Sequence, residues 1–379
     1  MVPIAQPVGI FIKSGGSLMR IGIIGLPNSG KTTLFNVLTG GSAPTTAYAG
    51  GTFQVNTGVV DVPDARVDTL SEMYQPQKTT YARVEYADIA GLSGARSDER
   101  SVSLSGELMN AIGNNDALLH VVRVFKDEAV PHPLEKVDPA RDITSLDAEL
   151  SLSDLSKIEN RLERLAVSLK RGKAFPTFED DQKEFEILNR LKSHLEQGLP
   201  IRDFELTADE EKRLRGFQFL SAKPVLIVLN LGDEEEAPSI DYPHQKSAIT
   251  SVRGKLEMDI AQLEEEDRAM FMAEYGLTKL STERIIRQSY DLLGRINFFT
   301  VLEDEVRAWE VRREATALEC AGTIHSDMAR GFIRAEVVSY EDLMAAGSNV
   351  AAKTMGKVRL EGKDHVIHDG DIIAIRFNV

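Results

Sequence analysis

Short runs of apolar residues alternate along the first two thirds of the chain with stretches of helical periodicity. Residues 20–26 contain Ile21-Gly22-Ile23-Ile24 and stop at a glycine loop, and residues 32–38 read as the helix that follows. Residues 55–60 and 81–89 alternate as half-buried strands do, whereas 117–124 and 224–229 are continuously apolar. Continuous apolar strands separated by helices predict a mostly parallel sheet covered on both faces, an α/β fold.

Two segments break this rhythm. Leu155, Ile158, Leu162, Leu165 and Leu169 recur at three- and four-residue steps, Arg171-Gly172-Lys173 ends that helix, and Phe185, Leu188, Leu191 and Leu195 stripe a second one that closes at Gly198-Leu199-Pro200. This pattern predicts an inserted helical hairpin, a coiled-coil arm, over residues 141–200. Its stripe reads first as intramolecular packing and second as a docking surface. Beyond Gly294 the segments 297–301, 333–338, 357–360, 365–367 and 372–377 are short and β-rich, with a turn at Asp369-Gly370-Asp371. The expected organisation is therefore an extension at 1–18 left out of the fold, a nucleotide domain formed by 19–140 and 201–282, the hairpin at 141–200, and a small α+β domain at 283–379.

Composition narrows the setting. The 379 residues are 42% hydrophobic and 27% charged, as in a soluble globular protein, and exceed what one core organises. No apolar run reaches the roughly 18 residues of a membrane span, so no membrane partner is expected. One cysteine, Cys320, rules out disulfides within the chain, makes a cysteine metal site improbable on chemical grounds, and predicts a reducing cytoplasm. A net charge of −15 opposes non-specific nucleic-acid binding by the whole surface. Arg330, Arg334, Lys357, Arg359 and Lys363 punctuate the C-terminal β-rich segments and are the candidates for a local RNA contact, against the plainer alternative of a solvated, charge-balanced surface.

The chemistry sits at three strand ends. Gly25-Leu26-Pro27-Asn28-Ser29-Gly30-Lys31-Thr32 fits G-x-x-x-x-G-K-[ST] between a predicted strand and helix. Its glycines let backbone N–H groups turn in around phosphates, Lys31 reaches the β- and γ-phosphates, and Thr32 can ligate Mg²⁺. Asn28, Ser29, Gly30, Lys31, Thr32 and Thr33 are thus candidate nucleotide-binding residues. Asp88-Ile89-Ala90-Gly91 follows a strand, where a P-loop NTPase places an Asp in the Mg²⁺ shell and a Gly that senses the γ-phosphate. Asn230-Leu231-Gly232-Asp233 follows another strand and corresponds to the guanine-reading N-K-x-D with the Lys replaced by Leu231. Asn230, Leu231 and Asp233 are the base candidates.

With these elements the chain resembles the YchF / Obg-like ATPase family of P-loop proteins. The likeness runs from Met19 onward. It includes the P-loop itself, Asp88-Ile89-Ala90-Gly91-Leu92, Val137-Asp138-Pro139-Ala140-Arg141-Asp142-Ile143 at the entry to the arm, Gly331-Phe332-Ile333-Arg334-Ala335-Glu336, Leu360-Glu361-Gly362-Lys363-Asp364 and the ending Arg376-Phe377-Asn378-Val379. The resemblance implies a C-terminal β-grasp (TGS) domain, Mg²⁺, a ribosome or RNA partner, and ATP preference through N-x-x-E. Here the motif ends in Asp233, so ATP and GTP both stay open. It also implies that Thr52, within Tyr48-Ala49-Gly50-Gly51-Thr52-Phe53, is the switch I γ-phosphate and Mg²⁺ sensor, giving Thr32, Thr52 and Asp88 as metal candidates and Lys31, Thr52 and Gly91 as catalytic ones. Relatives carry a histidine in the helix after switch II, and alignment puts Ala111 there. Leu92 stands where Ras-like enzymes place a water-orienting Gln.

These residues predict a slow, switch-like, monomeric nucleoside triphosphatase working near the ribosome. A nucleotide-gated RNA- or ribosome-binding module with vestigial hydrolysis is the alternative class. A metabolic kinase is third, and no acceptor-substrate motif supports it. Asn28, in a G-x-x-N-x-G-K-[ST] arrangement, further points to K⁺ beside the phosphates, with a hydrogen bond inside its own loop as the plainer role.

Overall fold

The computed structural model describes residues 18–43, 55–89, 105–173, 176–275, 277 and 280–378. Thr52, Gly91 and Leu92 lie outside them. The strands in chain order are Met19–Ile24 (β1), Val55–Asp61 (β2), Lys78–Thr80 (β3), Arg83–Ile89 (β4), Ala117–Arg123 (β5), Val225–Asn230 (β6), Ser247–Val252 (β7), Arg295–Val301 (β8), Glu305–Arg312 (β9), Phe332–Val338 (β10), Arg359–Glu361 (β11) and Ile372–Phe377 (β12). The helices used below are Lys31–Thr39 (α1), Ala65–Tyr74 (α2), Gly106–Gly113 (α3), Pro139–Leu169 (α4), Phe178–Glu196 (α5), Ala208–Leu214 (α6) and Gly254–Ala261 (α7).

One compact unit comprises 19–60 and 84–293. Its sheet has the order β2-β4-β1-β5-β6-β7, and the pairings β4-β1, β1-β5, β5-β6 and β6-β7 are parallel. Every residue of β5 and β6 is buried, which is why these strands read as unbroken apolar runs. One core under the sheet joins Ile24, Leu118, Val122, Ile227 and Leu229 to Ile112 of α3 and to Ile143, Leu146 and Leu150 of α4.

The helical arm is rooted in that core. Asp138 caps α4 by accepting from the Arg141 N–H at 3.1 Å, with Pro139 in the first turn. The first turns of α4 then belong to the core under the sheet. Its second half pairs with α5 through Ile158, Leu162, Leu165, Ile187, Leu188, Leu191 and Leu195. The stripe is packing, and Leu188, fully buried, contributes about 2 kcal/mol by that burial. At the changeover Asp154 is buried and accepts from the N–H groups of Leu220 and Ser221 at 2.9 and 2.7 Å, and from the Ser221 hydroxyl at 2.7 Å.

The second unit contains 61–83 and 294–379. Its mixed sheet has the order β11-β10-β12-β8-β9-β3, and the helix Ala317–Ile324 packs Ala317, Cys320 and Ile324 onto Phe298, Trp309 and Val337. This helix-on-mixed-sheet arrangement is the β-grasp layout, and it differs from expectation in membership. Residues 61–83, expected in the nucleotide domain, contribute its outermost strand, with Lys78, Thr79 and Thr80 aligned in parallel with Glu305, Val306 and Arg307. Arg66 of α2 lies between Asp64 and Asp369, each 2.8 Å away, and over the Phe299 ring at 5.1 Å. Residues 283–293, expected in the C-terminal domain, belong instead with the parallel sheet. Tyr86 of β4 and Ser289 share a buried hydrogen bond of 2.6 Å there.

Candidate nucleotide site

The phosphate loop leaves the buried end of β1 and enters α1. Gly25 has φ +149° and Gly30 φ +91°. A Cβ on Gly25 would stand 2.3 Å from the Val121 carbonyl, and one on Gly30 2.2 Å from the Asn230 amide, so both motif glycines are required by close approach. Lys31 begins α1. It is 7% exposed, its ammonium donates to the Leu26 carbonyl at 2.8 Å, and burial pulls its pKa down to about 8, with Asp88 pulling the other way. Thr32 and Thr33 follow in the first turn, both partly buried. Ser29 is buried beneath them.

Asp88 at the end of β4 meets this turn. The Thr32 hydroxyl donates to Asp88 Oδ2 at 2.8 Å, while Asp88 Oδ1 is buried with no partner among the described residues. A hydroxyl and a carboxylate with a free oxygen form a hard-oxygen pair that fits Mg²⁺. Among the described residues no group of three or more His, Cys, Asp or Glu side chains could hold a metal by itself.

Asn230, a base candidate, makes two side-chain contacts within the protein. Its amide donates to the Ser29 carbonyl at 3.0 Å and its side-chain oxygen accepts from the Gly254 N–H, opening α7, at 3.1 Å. One amide hydrogen and one lone pair of the side-chain oxygen are thus engaged within the protein, clamping the phosphate loop to β6 and α7. Leu231 is buried in the core under the sheet. Asp233 is exposed and held through its backbone carbonyl, which accepts from Arg253 Nε at 3.0 Å.

Four residues near these motifs escaped sequence reasoning. Phe125, half-buried, abuts Asn230: the Val124 and Phe125 N–H groups donate to the Asn230 carbonyl at 2.9 and 3.1 Å. Arg123 lies under the Phe125 ring at 4.3 Å. Glu235 accepts from the N–H groups of Gly232 and Lys126. His132 lies next to Pro131, whose carbonyl accepts from the Asn28 side chain at 3.0 Å. That bond leaves the phosphate loop altogether, in place of the one expected within it. Asn28 also has φ +61°. His132 is held at both ring nitrogens, by the Leu134 N–H at 3.1 Å and by Asp142 at 3.0 Å.

Ala111, by contrast, lines a cavity of about 370 Å³ with Arg20, Val55, Ala87 and Glu107, at the start of β1 rather than its phosphate-loop end. Ala111 lies in α3, the helix where the alignment placed it, and the residue bonded to the phosphate loop from the other side is Pro131, the neighbour of His132. In the C-terminal unit, three of the five candidate RNA-binding cations face carboxylates: Arg330 pairs with Asp327, Lys357 with Asp342 at 3.0 Å and Arg359 with Glu361 at 3.7 Å. The charge-balanced surface describes them better than an open basic patch does.

Residues 20–161 match the family model MMR_HSR1, described as 50S ribosome-binding GTPase, and residues 295–378 match YchF-GTPase_C, described as Protein of unknown function (DUF933). The chain is 42% identical over 372 residues to the Ribosome-binding ATPase YchF of Bacillus subtilis (strain 168), covering 95% of this chain and 100% of that protein. It is 38% identical over 368 residues to the protein of the same name from Escherichia coli O157:H7, covering 95% and 99%. The solved structure titled Structure of the Schizosaccharomyces pombe YchF GTPase superposes with a TM-score of 0.79 at 28% identity, covering 95% of this chain and 98% of that one. Likeness at this level over nearly the whole chain, together with a phosphate loop clamped by Asn230 and faced by Asp88, means that the chain belongs to the YchF family.

Proposed function

We propose that this chain is a ribosome-associated nucleoside triphosphatase that binds ATP, with GTP as the competing base. The observation that carries the reading is the meeting of Lys31, Thr32 and Asp88 at the end of the parallel sheet, where a triphosphate has a cationic side chain, a ring of loop N–H groups and a metal-binding pair within reach. The relatives' printed names support both halves, ribosome binding and hydrolysis, and they divide between ATPase and GTPase. Thr32 and Asp88 would hold Mg²⁺, which neutralises charge on the β- and γ-oxygens; Thr52 and Gly91 are proposed as the γ-phosphate sensors. Lys31 loses hydration on burial and regains a counter-charge from the phosphates. The Asn230 clamp keeps the loop N–H groups pre-oriented, so little reorganisation is needed as charge develops on the γ-phosphoryl group during in-line attack by water.

ATP is favoured because the guanine-reading Lys is replaced by a buried Leu231. His132 is the candidate for orienting water. We place the protein in the cytoplasm as a monomer. No helix among the described residues is long and apolar enough to cross a membrane.

The second reading, a nucleotide-gated binding module with vestigial hydrolysis, is favoured by one observation: both ring nitrogens of His132 are engaged within the protein. Single-turnover hydrolysis of ATP and GTP, with and without ribosomes and with Lys31→Ala as the blank, separates the two. Turnover that ribosomes stimulate and Lys31→Ala abolishes supports the enzyme. Tight nucleotide-dependent ribosome binding with no turnover supports the module.

A further inference from the structure

The segment that follows β5 and the segment that follows β6 are sewn together beside the phosphate loop. The Asn230 carbonyl accepts two N–H groups, from Val124 at 2.9 Å and Phe125 at 3.1 Å. Five residues further on, the Glu235 carboxylate bridges the same two segments, accepting from the Gly232 N–H at 2.5 Å with one oxygen and from the Lys126 N–H at 3.2 Å with the other. Gly232 makes this possible, because a Cβ there would stand 2.3 Å from the Glu235 carboxylate.

Arg123 completes the frame from beneath. It is 3% exposed and aligned with Asn230 across the sheet. Its Nε donates to the Phe125 carbonyl at 3.0 Å and one terminal nitrogen to the Asp127 carbonyl at 3.2 Å, with the guanidinium 4.3 Å from the centre of the Phe125 ring. Phe125 is therefore fixed at its N–H, its carbonyl and its ring, while the ring stays half-exposed at the edge of the site. The Nε and one terminal nitrogen of Arg123 are thus bonded to the backbone that the side chain positions, while its other terminal nitrogen is buried with no hydrogen-bond partner among the described residues.

From this frame we propose that Glu235 and Arg123 are positioning residues for the purine base. They hold the Phe125 and Gly232–Asp233 walls at the spacing a purine requires, and Arg123, buried as it is, acts without touching the ligand. Glu235 spans two segments and so sets their separation. Arg123 sets the plane of the ring. The proposal rests on the triphosphate site assigned above and adds the means by which its base half is held.

The test compares a ligand that has a base with one that lacks it. Full-length protein is titrated with labelled ATP, and Mg-tripolyphosphate is used as the base-less competitor, for wild type, Glu235→Ala, Glu235→Gln and Arg123→Lys. Glu235→Ala is expected to weaken ATP about tenfold while changing tripolyphosphate by less than about twofold. Glu235→Gln keeps one acceptor and falls in between. Arg123→Lys, which keeps charge but loses the planar fork, is expected to raise KM and leave kcat within about twofold. Thermal unfolding of each variant identifies any that fail to fold, and Glu235→Gln, a surface-accessible change, carries the comparison if Arg123→Lys does not. Equal loss on both ligands, or no loss on ATP, overturns the proposal while leaving the phosphate site standing. Wild-type protein that binds neither ligand overturns the site itself.

Discussion

Asn230 reaches 3.0 Å to the carbonyl of Ser29, so a residue expected to read the base also holds the phosphate loop. The other end of the same side chain accepts from Gly254. Asn230→Ala removes both bonds and leaves a buried carbonyl and a buried N–H, at a cost of about 2 kcal/mol. The expected result is a lower unfolding midpoint and a loss of affinity of about tenfold or more that is the same for ATP and GTP. Calorimetry with both nucleotides checks it, and a loss confined to one base would assign Asn230 to base reading after all.

Asp233 is a different case, because its side chain is exposed and its backbone carbonyl is what Arg253 holds. Removing the carboxylate leaves that bond in place. With ATP as the preferred nucleotide, Asp233→Ala is expected barely to alter the ratio of ATP to GTP affinities, although its exposed carboxylate is the group a guanine would need. A wild-type preference for GTP of about tenfold, equivalent to about 1.4 kcal/mol, that disappears in the variant would overturn this and return the Asp to its guanine-reading role.

The contrast between these two residues shows how far the sequence carried. The phosphate loop, Asp88 and the parallel sheet were legible because each rests on neighbours in the chain: a strand, its terminal glycine or carboxylate, and the helix that follows. What Asn230 does with its amide was not, since Ser29 is remote in sequence and the motif is the same whether it points at a base or at a loop. Glu235 sits in the run Glu234-Glu235-Glu236, which reads as solvated charge, and only the fold over Gly232 singles it out. Residues 61–83 carry an amphipathic helix with Val67 and Leu70 buried, and such a helix has the same pattern whichever sheet it covers. His132 was hidden because its tie to the phosphate loop runs through the Pro131 carbonyl, a backbone group that no side-chain motif records.

Asn28 supports a prediction about monovalent cations. Its amide nitrogen is anchored on Pro131, which leaves the side-chain oxygen as the end able to coordinate a cation beside the phosphates. A K⁺ there would stabilise charge developing between the β- and γ-phosphates as an arginine finger does. Hydrolysis is expected to be faster in K⁺ than in Na⁺ at equal ionic strength, and Asn28→Gly should abolish the difference. Glycine is the better variant because Asn28 has φ +61°, where alanine would add backbone strain of about 1–2 kcal/mol. Equal single-turnover rates in the two salts for the wild-type protein would rule the cation out.

His120 links stability to pH. It lies on β5, 3% exposed, and burial pulls its pKa from 6.5 to about 4; Asp147 opposes the shift, and the charges of Lys31 and Arg202 add to it. The folded state therefore prefers the neutral ring, and between the two pKa values the unfolded chain binds more protons than the folded one. Stability against unfolding must then rise with pH across that window, level off above it, and fall as pH drops from about 6.5 towards 4, by a total on the order of 3 kcal/mol. Other groups titrate in the same range, so the contribution is isolated by difference. Urea unfolding of wild type and His120→Gln at a series of pH values should show a gap in stability that moves in favour of the variant as pH falls below about 6.5. The glutamine amide carries no charge at any of these pH values, and its curve should lack the added slope. Parallel curves for the two proteins across the whole range would mean that His120 titrates alike in the folded and unfolded chains, and that burial in β5 does not hold it neutral.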